Sequence, residues 1–598
     1  MEIKQKKRSE IPDKYKWNLE DIFKTEADWR KAVETVKVSI EDFEKFEGTL
    51  TTGAAIFNCL EKMYDTLELN NLVYLYGNLK QREDTTVSEF QAMEDIASST
   101  DTEFEAAISF VEPEILEHDE KTIRQFITTT PGLKKYEHYL NDLLRKKAHV
   151  LSAEMEELLA NAEEIGEAPS NIYDVLESGD LKFGSITDEN GNTVEVTYAR
   201  YGTLIRSANR RVRKDTFEAY NDAFGKLKNT FATLFSSSVK KDIFFAKTRK
   251  YTSTLDASLY ESNIPRTVYE KLIETVEEFL PVLHRYMNVR KKALKLDELH
   301  IYDRFVPLVD DIDTKIPYDK AAEMVIEGLA PLGKEYIAAM EKALENRWID
   351  VYENEGKATG GFEWGMYGCH PYILLNYEDN IADMLTLAHE LGHAMHDHYA
   401  YQTQPHVYAD APIFLAEVAS TVNEVLMTEH LIKTTTCPKT RIYLLDQYIE
   451  QFRDNMFHQV MFAEFEKITH NMAEEGEPLT LDVLNDVFGG LYKKYYGPGM
   501  VIDERLHLSW ATIPHFYRAF YVYQYSTGYA AALALATKLK SGCPQALEDY
   551  LGFLKSGSSN YPIEILKKAG VDMSTPEPVR ETLQVFEGLV AEMEEIFA

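Results

Sequence analysis

Two histidines and one glutamate occur at metal-binding spacing in the run His389-Glu390-Leu391-Gly392-His393. On a helix, residues four apart lie on one face, so both imidazoles can bind the same zinc ion. Glu390 lies beside them and can take a proton from a water molecule on that zinc. With 16 His and 99 acidic residues in 598, chance alone gives about 0.07 such matches. The motif therefore predicts zinc chemistry rather than incidental core histidines.

The residues around the motif predict a helix. Apolar residues recur at three- and four-residue spacing from Ile381 to Leu391. Asp379 or Asn380 can cap the start of this helix. The motif therefore lies in the kind of element that its chemistry requires.

A zinc site of this kind needs a third protein ligand and an open position for water. The downstream candidates are His396, His398, His406, Asp410 and Glu417. His396 lies only three residues after His393, and three ligands from under two helical turns give poor tetrahedral geometry. His398 and His406 are better interpreted as surface or supporting groups.

Glu417 lies in a predicted apolar helix that Asp410 and Pro412 open. Glu424 follows seven residues later, on the same face of that helix. Two carboxylates that face a core need a partner, and a metal with its histidine ligands supplies one. We therefore predict Glu417 as the third zinc ligand, supported by Glu424. The alternative is an acidic stripe without function in an acidic protein.

Two segments depart from the helical pattern. A turn cluster at Asp188–Gly191, between β-branched residues, predicts a β-hairpin within residues 181–201. We place a boundary there, between an N-terminal helical lobe at 1–200 and a second domain at 201–598. Glycines and aromatics fill residues 358–377, which end in a strand-like run. This segment is either a small sheet packed on the core or an edge strand that hydrogen-bonds an extended peptide.

Composition excludes several classes of partner. The chain has 64 Lys+Arg against 99 Asp+Glu, a net charge of −35, which repels nucleic acid and anionic membranes. No apolar run approaches the roughly 18 residues of a membrane span, and no apolar stretch of a secretory signal follows the basic N-terminus. Four widely spaced cysteines fit a reducing cytoplasm. With only 29 Gly and 20 Pro, long helices are favoured over many short strands.

Two stretches, Thr386–His396 and Glu417–Glu424, resemble the thimet-oligopeptidase family of zinc metallopeptidases. Within that family they are most similar to the oligoendopeptidase F subgroup. Lys16–Phe23 and Ile513–Ala532 are similar to the same subgroup. The resemblance therefore covers nearly the whole chain.

The resemblance implies a mostly α, bilobed fold with a deep substrate channel and a small β element near the active site. The segment 201–598 is then the zinc metallopeptidase domain. The implied activity is zinc-dependent endopeptidase cleavage of short unfolded oligopeptides, because such a channel excludes folded proteins. On this resemblance, one zinc ion per chain would be bound by His389, His393 and Glu417, with Glu390 as the general base. The oligomeric state is left open.

The resemblance also implies that a histidine and a tyrosine of a late segment contact the scissile carbonyl. His515 fits the histidine, and Tyr523 best matches the tyrosine. Both can donate hydrogen bonds to the negative charge that develops on the carbonyl oxygen. The spacing differs from that of the thimet oligopeptidases, so Tyr517, Tyr521 and Tyr525 stay open as alternatives. Without the resemblance, this aromatic segment is equally typical of a core.

Two other functions stay open at this stage. One is a zinc hydrolase that acts on another amide substrate. The other is a non-catalytic peptide-binding protein with structural zinc, which requires a closed site with four protein ligands. Cleavage of quenched peptides, measured with and without a chelator, separates the three.

Overall fold

The structure is a computed structural model that describes residues 5–309 and 315–598. Almost all of its regular secondary structure is helical, and the strands of the described residues are two or three residues long. This confirms the predicted mostly α fold. Within the described residues, no helix is long and apolar enough to cross a membrane.

The helices and strands are numbered here in chain order. The helices of the first half of the chain are α1 (Glu26–Glu41), α2 (Gly53–Glu83), α3 (Ser88–Ile108), α4 (Val111–Glu117), α5 (Glu120–Thr129), α6 (Glu137–Lys146), α7 (Ala153–Gly166), α8 (Ala168–Val175), α9 (Tyr198–Leu204), α10 (Arg210–Lys226), α11 (Lys228–Thr248), α12 (Thr254–Glu261), α13 (Arg266–Glu278) and α14 (Leu280–Ala293). Those of the second half are α15 (Tyr318–Gly328), α16 (Gly333–Glu345), α17 (Ile381–Thr403), α18 (Ile413–Thr434), α19 (Pro438–Phe452), α20 (Gln459–Glu474), α21 (Leu481–Tyr496), α22 (Tyr523–Lys540), α23 (Pro544–Leu554), α24 (Pro562–Lys568) and α25 (Glu577–Ile596). The strands are β1 (Ser185–Thr187), β2 (Thr193–Glu195), β3 (Leu299–His300), β4 (Ile349–Asp350), β5 (Phe362–Trp364), β6 (Tyr372–Leu374) and β7 (Met500–Val501).

Residue contacts divide the chain into two compact units, each made of three separate segments. Unit 1 consists of Met1–Ala148, Thr314–His430 and Leu535–Val571. Unit 2 consists of His149–Asp313, Leu431–Ala534 and Asp572–Ala598. The units therefore interleave along the chain. The predicted domain boundary at residue 200 rests on the sequence alone and stays a prediction.

The predicted β-hairpin is confirmed. β1 and β2 pair antiparallel, with Ile186 opposite Val194. The Asp188 carboxylate closes the turn by accepting hydrogen bonds from the backbone N–H groups of Asn190 and Asn192. Both flanks of the hairpin belong to unit 2, and the first passage of the chain from unit 1 to unit 2 lies at residues 148–149.

Helical spacing in the first 180 residues continues across breaks between helices. Residues 115–127 form the end of α4 and most of α5, separated by a turn in which Asp119 caps the Thr122 N–H. Ile115 and Ile123, on either side of that turn, are both fully buried in one core. The spacing of apolar residues therefore reflects burial in a shared core, whereas the capping residue determines where a helix begins.

A three-stranded sheet in unit 1 accounts for the non-helical residues 358–377. β6 is central, with β4 parallel on one side and β5 antiparallel at the other edge. The residues of β6 are fully buried, and Tyr372 and Leu374 pack in a core with Trp17 and Trp29. The predicted strand is confirmed, and β5 leaves one edge of the sheet unpaired among the described residues.

An aromatic cluster forms the centre of unit 2. Phe465 of α20 has its ring centroid 5.5 Å from Phe235 of α11, 4.9 Å from Phe488 of α21 and 5.1 Å from Phe516. Phe516 lies in the late segment that contains His515. Its burial anchors the start of that segment to the core.

A buried ammonium group holds the sheet of unit 1 together. Lys357 is 8% exposed, and its Nζ lies 2.7 Å from Asp350 Oδ1. The same Nζ donates to the backbone oxygens of Tyr352 and Leu375, at 2.8 and 2.5 Å. Arg8 is a second partner of Asp350, at 2.6 Å. These bonds join β4 to the residue that follows β6.

We predict that Lys357→Met lowers the free energy of unfolding of unit 1 by about 3–5 kcal/mol, because it breaks a buried ion pair and leaves carbonyl groups unsatisfied. Urea unfolding followed by circular dichroism measures the change. The control is Lys320→Met, which removes an exposed pair with Glu323 and should change stability by less than about 1 kcal/mol. Equal effects of the two variants would contradict this account of the sheet.

Candidate active site

The helix α17 carries the metal-binding motif. It begins after Asn380, whose side-chain oxygen accepts a hydrogen bond from the Asp383 N–H at 2.9 Å. His389 and His393 are half-buried, and Glu390 is 6% exposed. The apolar residues between them are fully buried. The helix therefore fixes the motif against the core of unit 1.

The neighbouring helix α18 approaches α17 very closely at Gly392. A Cβ atom at this position would lie 2.5 Å from Ser420 Cα and 2.8 Å from the Ala419 oxygen. A buried hydrogen bond of 2.9 Å from Asn423 Nδ2 to the Ala388 oxygen reinforces the contact. Glycine at position 392 is therefore required for the separation of these two helices.

This close approach brings three possible metal ligands together. His389 Nε2 lies 3.1 Å from His393 Nε2, and Glu417 Oε2 lies 3.5 and 3.4 Å from these two atoms. Ligand atoms in a tetrahedral zinc site are about 3.3–3.6 Å apart, given bonds of about 2.0–2.2 Å. The three atoms therefore fit a zinc ion. Among the described residues this is the one group of three or more His, Cys, Asp or Glu that could hold a metal.

Two further side chains orient these ligands. Glu424 Oε1 lies 2.6 Å from His389 Nδ1, so the other ring nitrogen of His389 faces its two neighbours. Ser420 Oγ donates to Glu417 Oε2 at 3.1 Å. The i+7 relation of Glu417 and Glu424 thus places one carboxylate with the imidazoles and the other behind them.

The electrostatics of this group favour positive charge. Burial lowers the pKa of His389, but hydrogen bonding to Glu424 and the charges of nearby glutamates outweigh it and raise this pKa to about 9. Contact with His393 lowers the pKa of Glu417 to about 2, although burial opposes the effect. A cluster with this charge balance suits a bound cation.

Glu390 lies outside the group of possible ligands. Burial raises its pKa, whereas the two neighbouring imidazoles lower it. The backbone N–H of Glu363, in the edge strand β5, also lowers this pKa. Glu390 is thus a buried carboxylate that lies beside the two imidazoles and close to the edge strand.

The other residues considered as third ligands lie elsewhere. His396 is 2% exposed and packs on Phe553 at 4.9 Å, and burial lowers its pKa to about 3. His398 lies against Trp348 at 5.5 Å, and His406 accompanies another aromatic cluster. Asp410 lies beside a tyrosine hydroxyl, at 3.4 Å. None of them belongs to the group of three.

A half-buried acidic cluster that was not predicted lies next to the site. Tyr401 donates to Asp397 Oδ2 at 2.9 Å. Burial raises the pKa of Asp397 to about 6, and it raises that of Glu363 well above the usual value. Asp397 and Tyr401 continue the four-residue spacing of His389 and His393, a signal that was available in the sequence. Glu363 had no such signal.

In unit 2, the late segment groups some of its predicted residues and separates others. His515 is exposed, and its ring lies parallel to Tyr521 with the centroids 6.2 Å apart. Its Nε2 lies 3.5 Å from the Tyr525 hydroxyl. Tyr523 is 3% exposed and packs on Tyr269 at 5.1 Å.

Tyr517, the remaining alternative, is 8% exposed. Its ring lies 4.5 Å from that of Tyr173, and burial raises the pKa of its hydroxyl. Tyr521 and Tyr525 are thus the tyrosines that accompany His515.

A family model resolves the identity of the chain. The model of Peptidase family M3 matches residues 203–585. The chain belongs to this family. A second model, described as Oligopeptidase F, matches residues 114–183. The resemblance inferred from the sequence motifs is confirmed.

Relatives of this M3 peptidase match it over almost its whole length. Oligopeptidase PepF of Bacillus subtilis is 44% identical, over 99% of this chain and 89% of the relative. Group B oligopeptidase PepB of Streptococcus agalactiae is 37% identical, over 99% and 98%. The crystal structure of oligoendopeptidase-F from Enterococcus faecium is 36% identical, with a TM-score of 0.73 over 95% of this chain and 99% of that one. The protein is accordingly a metalloendopeptidase, an enzyme that hydrolyses peptide bonds.

We predict that Glu417→Ala lowers zinc affinity by at least tenfold, because it removes one of the three possible ligands. His396→Ala should keep the metal, since the ring of His396 packs on Phe553. Metal analysis after dialysis against a graded series of zinc buffers measures both.

The His396 variant also serves as the control for stability, because it opens a cavity in the same unit. If it loses zinc while the Glu417 variant keeps one ion per chain, the ligand assignment is wrong.

Proposed function

We propose that this M3 peptidase is a zinc-dependent endopeptidase that cleaves internal bonds of short unfolded oligopeptides. The observation that carries the proposal is the triangle of His389 Nε2, His393 Nε2 and Glu417 Oε2, with sides of 3.1–3.5 Å. The buried carboxylate of Glu390 beside it is left for proton transfer. The names of the relatives, oligopeptidase and oligoendopeptidase, support the size class of the substrate.

In this proposal His389, His393 and Glu417 hold the zinc. When bound, zinc supplies a Lewis acid that acidifies a water molecule and polarises the scissile carbonyl. Glu424 accepts the Nδ1 proton of His389 at 2.6 Å and so fixes the tautomer that presents Nε2. Ser420 orients the Glu417 carboxylate from the other side.

Glu390 moves the proton. It takes one from the attacking water and delivers it to the leaving amine nitrogen, as a general base and then a general acid. Burial raises the pKa of Glu390 above its usual value, and a raised carboxyl pKa helps the group to keep the proton until the leaving amine takes it.

The edge strand β5 offers a place for the substrate backbone. Its outer edge is unpaired among the described residues, and Glu363 within it lies next to Glu390. An extended peptide can add to such an edge through backbone hydrogen bonds. Only an unfolded chain has its backbone free for this pairing, which supports short flexible peptides as substrates.

His515 and a tyrosine of the same segment would donate hydrogen bonds to the carbonyl oxygen as negative charge develops on it. The sequence favours Tyr523 for this role. Two observations favour Tyr525 instead. The Tyr523 ring is buried, and the Tyr525 hydroxyl lies 3.5 Å from His515 Nε2. We therefore propose the pair His515 and Tyr525.

We expect Glu390→Gln to keep one zinc ion per chain and lose roughly 10²–10⁴-fold in kcat, because glutamine keeps the shape but cannot accept a proton. Metal analysis and hydrolysis of an internally quenched peptide measure the two properties on one preparation.

The matched control is Glu341→Gln, an exposed glutamate of unit 1, which should behave as the parent protein. The same peptide embedded in a stably folded domain should be cleaved far more slowly than the free peptide. A Glu390→Gln variant with normal turnover would refute the mechanism.

We expect Tyr525→Phe to lower kcat and kcat/KM together by about 10²–10³-fold, with KM little changed, because one oxyanion donor is lost. Tyr523→Phe should change kcat less, since its ring serves packing. Steady-state kinetics of both variants, with zinc content measured alongside, distinguishes them. A large loss in Tyr523→Phe and none in Tyr525→Phe would restore the assignment made from the sequence.

A further inference from the structure

A buried glutamate of α20 holds the backbone of the late segment. Glu466 is completely buried, and its Oε1 accepts a hydrogen bond of 2.8 Å from the Phe520 N–H. Its Oε2 has no hydrogen-bond partner among the described residues. Burial of a carboxyl group at this depth costs free energy of folding unless hydrogen bonds offset it.

The residue that Glu466 holds has an unusual backbone conformation. Phe520 has a φ of +57°, in the left-handed region, although it is not a glycine. This conformation is strained for a residue with a Cβ atom and persists only where the surroundings enforce it. Two contacts enforce it here: the hydrogen bond to Glu466, and burial of the ring between His470 at 4.6 Å and Tyr269 at 5.9 Å.

The left-handed backbone conformation of Phe520 determines which way the side chains next to it in the sequence face. Phe520 is 1% exposed, whereas Arg518 lies over the ring of Tyr521 at 4.3 Å. His515 lies parallel to Tyr521 and next to Tyr525 on the same side. The Phe520 ring thus faces the core, whereas the side chains of His515, Tyr521 and Tyr525 form a separate group. The hydrogen bond to Glu466 fixes the backbone at Phe520.

We propose that Glu466 is a positioning residue for the catalytic histidine and tyrosine of this segment. It acts through the Phe520 N–H and touches no substrate. The inference rests on the proposed function, in which His515 and a tyrosine of the segment contact the scissile carbonyl. A displacement of about 1 Å in such groups lowers kcat by as much as 10²-fold.

The surroundings of Glu466 make glutamine a close substitute. Burial raises the pKa of Glu466 well above the usual range. The hydrogen bond from the Phe520 N–H lowers this pKa, whereas the nearby Asp242 carboxylate raises it further. A pKa shift in this direction favours the neutral form of the carboxyl, and glutamine reproduces its size and its accepting oxygen. Methionine has a similar length without an acceptor.

The experiment compares Glu466→Gln with Glu466→Met on a quenched peptide. We expect the glutamine variant to stay within about threefold of the parent in kcat. The methionine variant should lose about 10–10²-fold in kcat with KM within about twofold. Zinc content should be unchanged in both, because the ligands lie in unit 1.

Thr469→Val is the control for a change that only affects stability. Thr469 is fully buried on the same helix, and its hydroxyl donates within that helix, to Phe465 and Glu466 oxygens. It should leave kcat unchanged. Where Glu466→Met fails to fold, Glu466→Asp replaces it, because the shorter carboxyl cannot reach the Phe520 N–H.

Double variants show whether Glu466 acts through the segment. His515→Asn and the phenylalanine variants of Tyr521, Tyr523 and Tyr525 are made first, and the one with the largest loss of kcat is combined with Glu466→Met. A positioning role predicts little further loss, because the positioned group is already gone. A full multiplicative loss, or a Glu466→Met variant as active as Thr469→Val, overturns the proposal.

Failure of the proposed function gives a different result. If none of the four segment variants loses kcat, the segment makes no catalytic contact, and both the contact and its positioning are refuted. If they lose kcat while Glu466→Met does not, the contact stands and only the role of Glu466 is refuted.

Discussion

The group of three possible metal ligands depends on how closely two helices approach each other. α17 supplies two imidazoles and α18 a carboxylate, and their ligand atoms lie within 3.5 Å because no side chain intervenes at Gly392. The Asn423 bond to Ala388 sets the register between the helices. Electrostatics alone would not create this arrangement, since the surrounding carboxylates repel one another until a cation or protonated imidazole offsets them.

Helical periodicity made much of this site predictable. The four-residue spacing of His389 and His393, and the seven-residue spacing of Glu417 and Glu424, follow from one geometry. Glu417 could be selected because apolar neighbours required its carboxylate to have a partner. The mostly α fold and the strand at β6 were predicted for similar reasons, since each signal was local in the sequence.

Features that depend on distant parts of the chain could not be predicted. The surroundings of Glu390 include Glu363, whose approach depends on how β5 pairs with β6. Exposure of the late tyrosines depends on Phe520, whose backbone is left-handed. Phenylalanine does not favour this conformation, so no local signal in the sequence indicated it. The two units are each made from three separate segments, and local pattern contains no information on such pairing.

The interleaving of the units has a consequence for synthesis of the chain. The first segment of unit 1 ends at Ala148, but its last segment ends at Val571, about 420 residues later. At about 5–20 residues per second, a ribosome needs about 20–85 s to cover that distance. The core around Trp17 and Trp29 is completed earlier, once Tyr372 and Leu374 have been made, whereas unit 1 as a whole waits for its last segment. Folding of this protein in the cell is therefore limited by translation and open to chaperones, whatever the intrinsic speed of its helices.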